Sequence, residues 1–167
     1  MKPLTVLLSS EHKRQEFDCG NSVLNGYLRA YALQDMKRRV SRAYVLVSSD
    51  NLIQGFYTLS ASSFCFESIP ETLRKQLPRY PLPAVLIGRL AIDQKFQKQG
   101  MGKHLLMDAL YRIALAETSI GIYAAVVDAK DEQAQAFYEK FGLVSFKEQP
   151  LKLFLPLSTI KQALLGT

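Results

Sequence analysis

The chain has 167 residues, 48% hydrophobic and 22% charged, with 9 Gly and 7 Pro; these are the proportions of one globular domain over residues 1–167 and exclude a disordered or collagen-like chain. Lys and Arg number 21 against 15 Asp and Glu, a formal charge of +6, and no apolar run approaches the roughly 20 residues of a membrane helix. Cys19, Cys65, His12 and His104 are too few and too scattered for a disulfide framework or a metal centre, so no metal is expected, and without a signal-peptide pattern at the start the expected compartment is the cytoplasm.

In chain order, Leu4–Leu8 reads as a short first strand. Phe17-Asp18-Cys19-Gly20-Asn21 reads as a turn into a helix capped by Asn21, with Val23, Leu24, Tyr27, Leu28 and Tyr31 at helical spacing and a continuation to Arg39. Arg42–Ser49 and Leu52–Phe66 are rich in β-branched and aromatic residues, and Ser49-Asp50-Asn51 between them signals a hairpin. A short helix over Glu71–Gln76 is ended by Pro78, Pro81 and Pro83. Ala84–Ile92 is a nearly unbroken apolar run, as in a strand buried on both faces. After the polar loop Asp93–Gln99 comes a helix with Met101, Leu105, Leu106, Ala109, Leu110, Ile113 and Ala114 on one face. Gly121–Val127 is a second buried strand, Asp131–Lys140 a helix closed by Gly142, and Lys152–Leu157 a late strand before a C-terminal helix. Strand, helix and strand form a right-handed βαβ unit with parallel strands. The class is α/β with a mixed sheet.

Gln97-Lys98-Gln99-Gly100-Met101-Gly102-Lys103 lies after a buried strand and opens an amphipathic helix. Gly100 and Gly102 let the backbone turn sharply and a ligand come close. The helix start offers unpaired N–H groups and partial positive charge, beside the full charges of Lys98 and Lys103. The spacing is not a P-loop, which needs four residues between its glycines, nor a dinucleotide fingerprint, whose third glycine is here Leu105.

The pattern of Gln, two residues, Gly, one residue, Gly resembles the acetyl-coenzyme A loop of the GNAT acyltransferases. Downstream, Asp131-Glu132-Gln133-Ala134-Gln135-Ala136-Phe137-Tyr138 and Gly142 are similar to that family's second motif, with Asp131 in place of Asn and Leu143 in place of Phe. The resemblance implies a central twisted sheet with splayed parallel strands flanked by helices. It implies a cofactor, acetyl-CoA, held by Leu90, Ala91, Ile92, Gln97, Lys98, Gln99, Gly100, Met101, Gly102, Lys103, Asp131 and Phe137, and a catalytic Tyr138 that protonates the leaving thiolate. Phe17–Asn21, Gly55-Phe56-Tyr57-Thr58-Leu59-Ser60, Leu86–Ala91 and Val127–Asp131 further resemble the GNAT toxins of toxin–antitoxin pairs. That likeness implies acetylation of the α-amine of aminoacyl-tRNA, blocking translation, in a homodimer paired with a ribbon-helix-helix antitoxin through which operator DNA is bound.

A phenol with a pKa of about 10 stays protonated at neutral pH and can donate. No general base stands out. An α-amine, with a pKa of about 7.7–8.0, is on the order of a tenth neutral at pH 7 and has the least need of one. The basic groups Arg38, Arg39 and Arg42, and Arg74, Lys75 and Arg79, are candidates for the tRNA backbone. Arg89, inside an apolar strand, joins them and needs a partner or a cleft. Two rival readings are a GNAT enzyme acting on a small amine or a protein N-terminus, and a non-catalytic RNA- or protein-binding module on this fold.

Overall fold

The computed structural model describes residues 3–166. Its strands are β1 (Val6–Leu7), β2 (Arg42–Val47), β3 (Ile53–Phe64), β4 (Leu82–Ile92), β5 (Ala124–Asp128), β6 (Val144–Phe146) and β7 (Gln149–Pro156). The helices are α1 (Ser22–Gly26), α2 (Ala32–Lys37), α3 (Met101–Ala116), α4 (Glu132–Glu139) and α5 (Leu157–Leu165). The strands follow the hydrogen-bonded order β1-β2-β3-β4-β5-β7-β6. Only the β4–β5 pairing is parallel among the registers that follow, so the sheet is mixed, as the sequence implies.

The chain divides into two compact units. One holds the residues up to Ser60 with Gly88–Arg112; the other holds Ala61–Ile87 with the chain from Ile113 onward. In the first, β1 and β3 flank β2 antiparallel, and the β2–β3 hairpin closes at Asn51, a non-glycine with φ 61°. Asparagine tolerates that conformation better than most residues. Leu8, Phe17, Leu28, Ala32, Val45 and Phe56 lie at the centre of the core. In the second unit β5 lies between β4, parallel through Ala84↔Ala124 to Ile87↔Val127, and β7, antiparallel. Phe64, Ile69, Ala124, Val126, Phe146 and Phe154 form its core.

Several expected elements shift. β1 is confined to Val6–Leu7, both exposed, and Glu71–Gln76 yields only a 3-10 turn at Glu71–Leu73. β5 starts at Ala124 rather than Gly121. The late strand starts earlier, at Gln149, and pairs with β6, which is too short to show a period. β4 is not buried throughout: Gly88, Arg89 and Leu90 are half-exposed.

The largest departure is in the first helix. Asn21 caps it as expected, its side-chain oxygen accepting from Val23 N at 3.0 Å and Leu24 N at 3.1 Å. Between α1 and α2, however, Tyr27–Tyr31 form a π turn, in which Ala32 N–H donates to Tyr27 O five residues back. The wider turn carries the buried stripe from Leu28 to Ala32 and leaves Tyr31 57% exposed. Val23, placed on the apolar face by its spacing, is 77% exposed in the first turn. The helix stops at Lys37, and Arg39 turns left-handed with φ 64°.

Candidate active site

Gly88–Ile92 continues β4 past its last registered pair with β5, Ile87↔Val127. Leu90, Ala91 and Ile92 lie on this stretch, where the sequence reading puts the strand end that meets the cofactor arm. The chain then turns through Asp93, whose side chain caps a 3-10 turn at Gln94–Phe96 by accepting from Lys95 N at 2.9 Å. Gln97 is exposed overall, yet its Nε2 donates to Ile92 O at 2.8 Å and to Cys19 O at 3.0 Å. Both of its amide protons are therefore committed to the protein's own backbone. Gln99 Nε2 reaches Lys95 O at 3.4 Å.

Lys98 and Gly100 both adopt left-handed backbone, φ 62° and 79°. α3 begins at Met101, so the first N–H groups of the helix have no carbonyl one turn earlier to bond; His104 N–H closes onto Gly100 O at 3.4 Å. A Cβ built at Gly100 would meet nothing within 4 Å. The glycine therefore serves the backbone angle and leaves the outer side of the loop open. Left-handed residues alternating ahead of a helix start are the backbone pattern of an anion-binding nest, of the sign that accepts a diphosphate. Exposed Lys98 and Lys103 add full charge, and half-buried Met101 and Gly102 supply first-turn N–H groups. These residues fit the diphosphate of acetyl-CoA.

In the other unit, Asp131 caps α4, its Oδ1 accepting from Ala134 N at 2.8 Å. That is the capping role that survives the Asn-to-Asp departure from the family motif. Phe137 packs edge-on against Tyr138, ring centroids 5.3 Å apart, and against Phe141 at 5.1 Å. Tyr138 is 6% exposed. Burial, aided by the negative charge of Asp128, pushes its phenol up to about 12. The hydroxyl thus keeps its proton at any working pH.

The basic residues differ in how free they are. Arg38, Arg39, Arg42, Lys75 and Arg79 are exposed. Arg74 is committed to its own loop: Nε donates to Ile69 O at 2.9 Å, a terminal nitrogen donates to Glu67 O at 2.8 Å, and the guanidinium lies 5.6 Å from the Phe66 ring centroid. Arg89 finds the partner its strand position requires in Tyr27, whose ring centroid lies 3.4 Å beneath the guanidinium. Tyr27 in turn donates from its hydroxyl to Asp35 Oδ2 at 2.8 Å, and burial raises its pKa. The sequence reading missed Tyr27 as Arg89's seat, since 62 residues part them and the π turn that aims Tyr27 leaves no compositional mark.

Residues 39–144 match the family model of the acetyltransferase (GNAT) domain. The chain is 37% identical over 150 residues, 90% of its own length and 89% of the other's, to the tRNA-acetylating toxin of Mycobacterium tuberculosis (strain ATCC 25618 / H37Rv). Its structure is similar to that of AtaT complexed with acetyl-methionyl-tRNAfMet, with a TM-score of 0.90, 31% identity and 98% of each chain covered. It is also similar to a tyrosine-to-phenylalanine mutant of the AtaT toxin bound to the C-terminus of the antitoxin AtaR and acetyl-CoA. That match has a TM-score of 0.82 and 30% identity, covering 98% of this chain and 97% of the other.

Proposed function

We propose that this chain, which belongs to the GNAT acetyltransferase family, transfers acetyl from acetyl-CoA to the α-amino group of an aminoacyl-tRNA and thereby blocks translation. The observation that carries the reading is likeness over 90% of the chain to a protein that acetylates tRNA. Acetyl-CoA supplies the acetyl group as an activated thioester. The N–H groups from Gly100 to Lys103 and the charges of Lys98 and Lys103 hold its diphosphate, and Leu90–Ile92 offers backbone to its arm. Asp131 contributes by capping α4, and Phe137 by packing Tyr138 in place.

The amine nitrogen forms a bond to the acetyl carbon as the carbon–sulfur bond breaks, and Tyr138 directs its hydroxyl proton at the departing sulfur. A buried phenol with a raised pKa is a donor that does not ionise before it is used. Solvent takes the proton that the amine loses and returns one to the Tyr138 phenolate, so the enzyme ends as it began. No general base is needed for an α-amine already partly neutral at pH 7, whereas a lysine side chain, with a pKa of about 10.4, would need one.

Arg38, Arg39 and Arg42, with Lys75 and Arg79, meet the tRNA phosphates. Arg89, seated on Tyr27, presents a fixed guanidinium, and Arg74 serves its own loop first. The same reading gives the protein an antitoxin partner, a homodimeric state and a cytoplasmic setting, where charged tRNA is found. The test is incubation with labelled acetyl-CoA and total charged tRNA, with small amines and peptides in parallel. Label on the amino acid esterified to tRNA is the expected result; label only on the small amines or peptides overturns it.

A further inference from the structure

We infer that the Asp18-Cys19-Gly20 turn is a brace for the phosphate loop, joined to it by Asp93 as a positioning residue; the inference rests on the reading that this loop holds the diphosphate of acetyl-CoA. In the sequence the turn reads as the lead-in to the capped first helix and as a point of family likeness, and the transfer chemistry assigns it nothing. Its contacts run to the root of the loop. Asp18 N–H donates to Asp93 Oδ2 at 3.0 Å, Gln94 N–H donates to Asp18 O at 2.8 Å, and Gln97 Nε2 donates to Cys19 O at 3.0 Å. The other oxygen of Asp93 accepts from Lys95 N–H. One side chain thus ties the turn to the first residues of the loop.

The turn is itself held rigid. Asn25, 8% exposed, accepts from Cys19 N–H at 2.9 Å and donates to Asp18 Oδ1 at 3.0 Å, and Gly20 N–H donates to the same oxygen at 2.9 Å. Gly20 has φ 87°, and a Cβ there would lie 2.6 Å from Gln94 Nε2. The flexible end of Gln94 can move aside, so it is the positive φ that favours glycine here.

Asp93 acts on the loop through its shape rather than its charge. The residue is 5% exposed and sits just before a loop that binds an anion. A carboxylate there opposes a diphosphate electrostatically, so its contribution is geometric: two acceptor oxygens for two N–H groups that would otherwise be left unsatisfied.

The experiment is calorimetric titration of acetyl-CoA into the full chain and into Asp93→Asn, with steady-state kinetics for both substrates. A positioning role predicts affinity for acetyl-CoA weakened about tenfold, with its KM raised alike, while kcat at saturation and KM for aminoacyl-tRNA stay within about twofold. A role through charge alone predicts tighter binding, and that result, or unchanged affinity, overturns the brace. Gly20→Ala, which leaves every charge in place, is the second variant and is expected to show the same selective loss. A rise in KM for aminoacyl-tRNA with acetyl-CoA affinity intact assigns the turn to RNA instead and equally overturns it. Failure of the unaltered chain to bind acetyl-CoA would sink the underlying reading rather than the brace.

Discussion

The two units of the chain bury their interiors in different ways. Among the described residues, every buried polar or charged side chain outside the aromatics, namely Thr5, Asn25, Thr58, Asp93 and Asp108, falls in the unit that carries the phosphate loop. Asp108 is the centre of this polar interior. It is 1% exposed and accepts from Thr5 Oγ1 at 2.5 Å, Tyr57 Oη at 2.7 Å and Leu4 N at 2.6 Å, with Arg112 Nε 3.6 Å away. Arg112 also donates to Thr5 O and covers the Tyr44 ring at 4.1 Å. The other unit closes over aromatic contacts, Phe64 with Phe146 at 5.2 Å and Phe146 with Phe154 at 5.0 Å. Hydrogen bonds are directional and apolar contact is not. The loop that we propose meets a diphosphate is tied to this directional interior through Asp93 and Asn25, while in the other unit Tyr138 is buried beside Phe137.

The sharpest way to probe that division is Tyr138→Phe. Turnover should fall roughly 10²–10⁴-fold, the typical contribution of a positioned acid, while the thermal midpoint stays near that of the unaltered chain. Unchanged turnover at saturating substrates would remove the phenol from the mechanism.

Next in size is the polar interior. Asp108→Ala should cost roughly 3–5 kcal/mol in denaturant unfolding, because it leaves Arg112 without its counter-charge and takes the acceptor from Leu4 N–H, Thr5 and Tyr57, the last two keeping only each other as acceptor, at 3.3 Å. Phe154→Leu, its counterpart in the aromatic core, should cost less, about 1–2 kcal/mol, because it leaves a small cavity but strands no polar group. Equal costs would erase the contrast between the units.

Charge reversal tells the units apart by their surfaces. Arg38, Arg39 and Arg42 changed to Glu should raise KM for aminoacyl-tRNA about tenfold and flatten its salt dependence by about two to three in log–log slope. Lys75 and Arg79 changed together should flatten it by about one to two. Neither set should alter acetyl-CoA affinity.

The last comparison is the pH profile. Below about 7.7 the amine is protonated, so kcat/KM should rise about tenfold per unit of pH and level off above about 8.5. The acid form of Tyr138 is the active one, and its elevated pKa of about 12 keeps the plateau flat through the accessible alkaline range. A descending limb near pH 10, read from initial rates, would mean that the donor is an unperturbed phenol or another group.

What could be read from the sequence follows the range of the interactions. Asn21 and Asp131 as caps, Gly142 with φ 90° after α4, and the glycines before α3 are local devices, each legible from a few neighbouring residues. The parallel β4–β5 pairing was legible because hydrophobic patterning and crossover geometry leave little choice. Asp108 was not, since its partners Thr5 and Tyr57 lie 103 and 51 residues away and a lone carboxylate in a helix reads as solvated. Nor was the π turn, because a wider turn has the same composition as an ordinary one. The Asp18-Cys19-Gly20 turn was legible as the lead-in to the first helix, but its tie to the phosphate loop was not, for those hydrogen bonds join residues 75 and 78 positions apart.

Lys98 holds a backbone angle, φ 62°, at which glycine would be at ease. A lysine there carries roughly 1 kcal/mol of steric penalty and in return places a cation on the loop. On the proposed reading, heat tolerance and grip on polyphosphates pull this position in opposite directions: glycine would ease the angle, less its own backbone entropy, and would give up the cation.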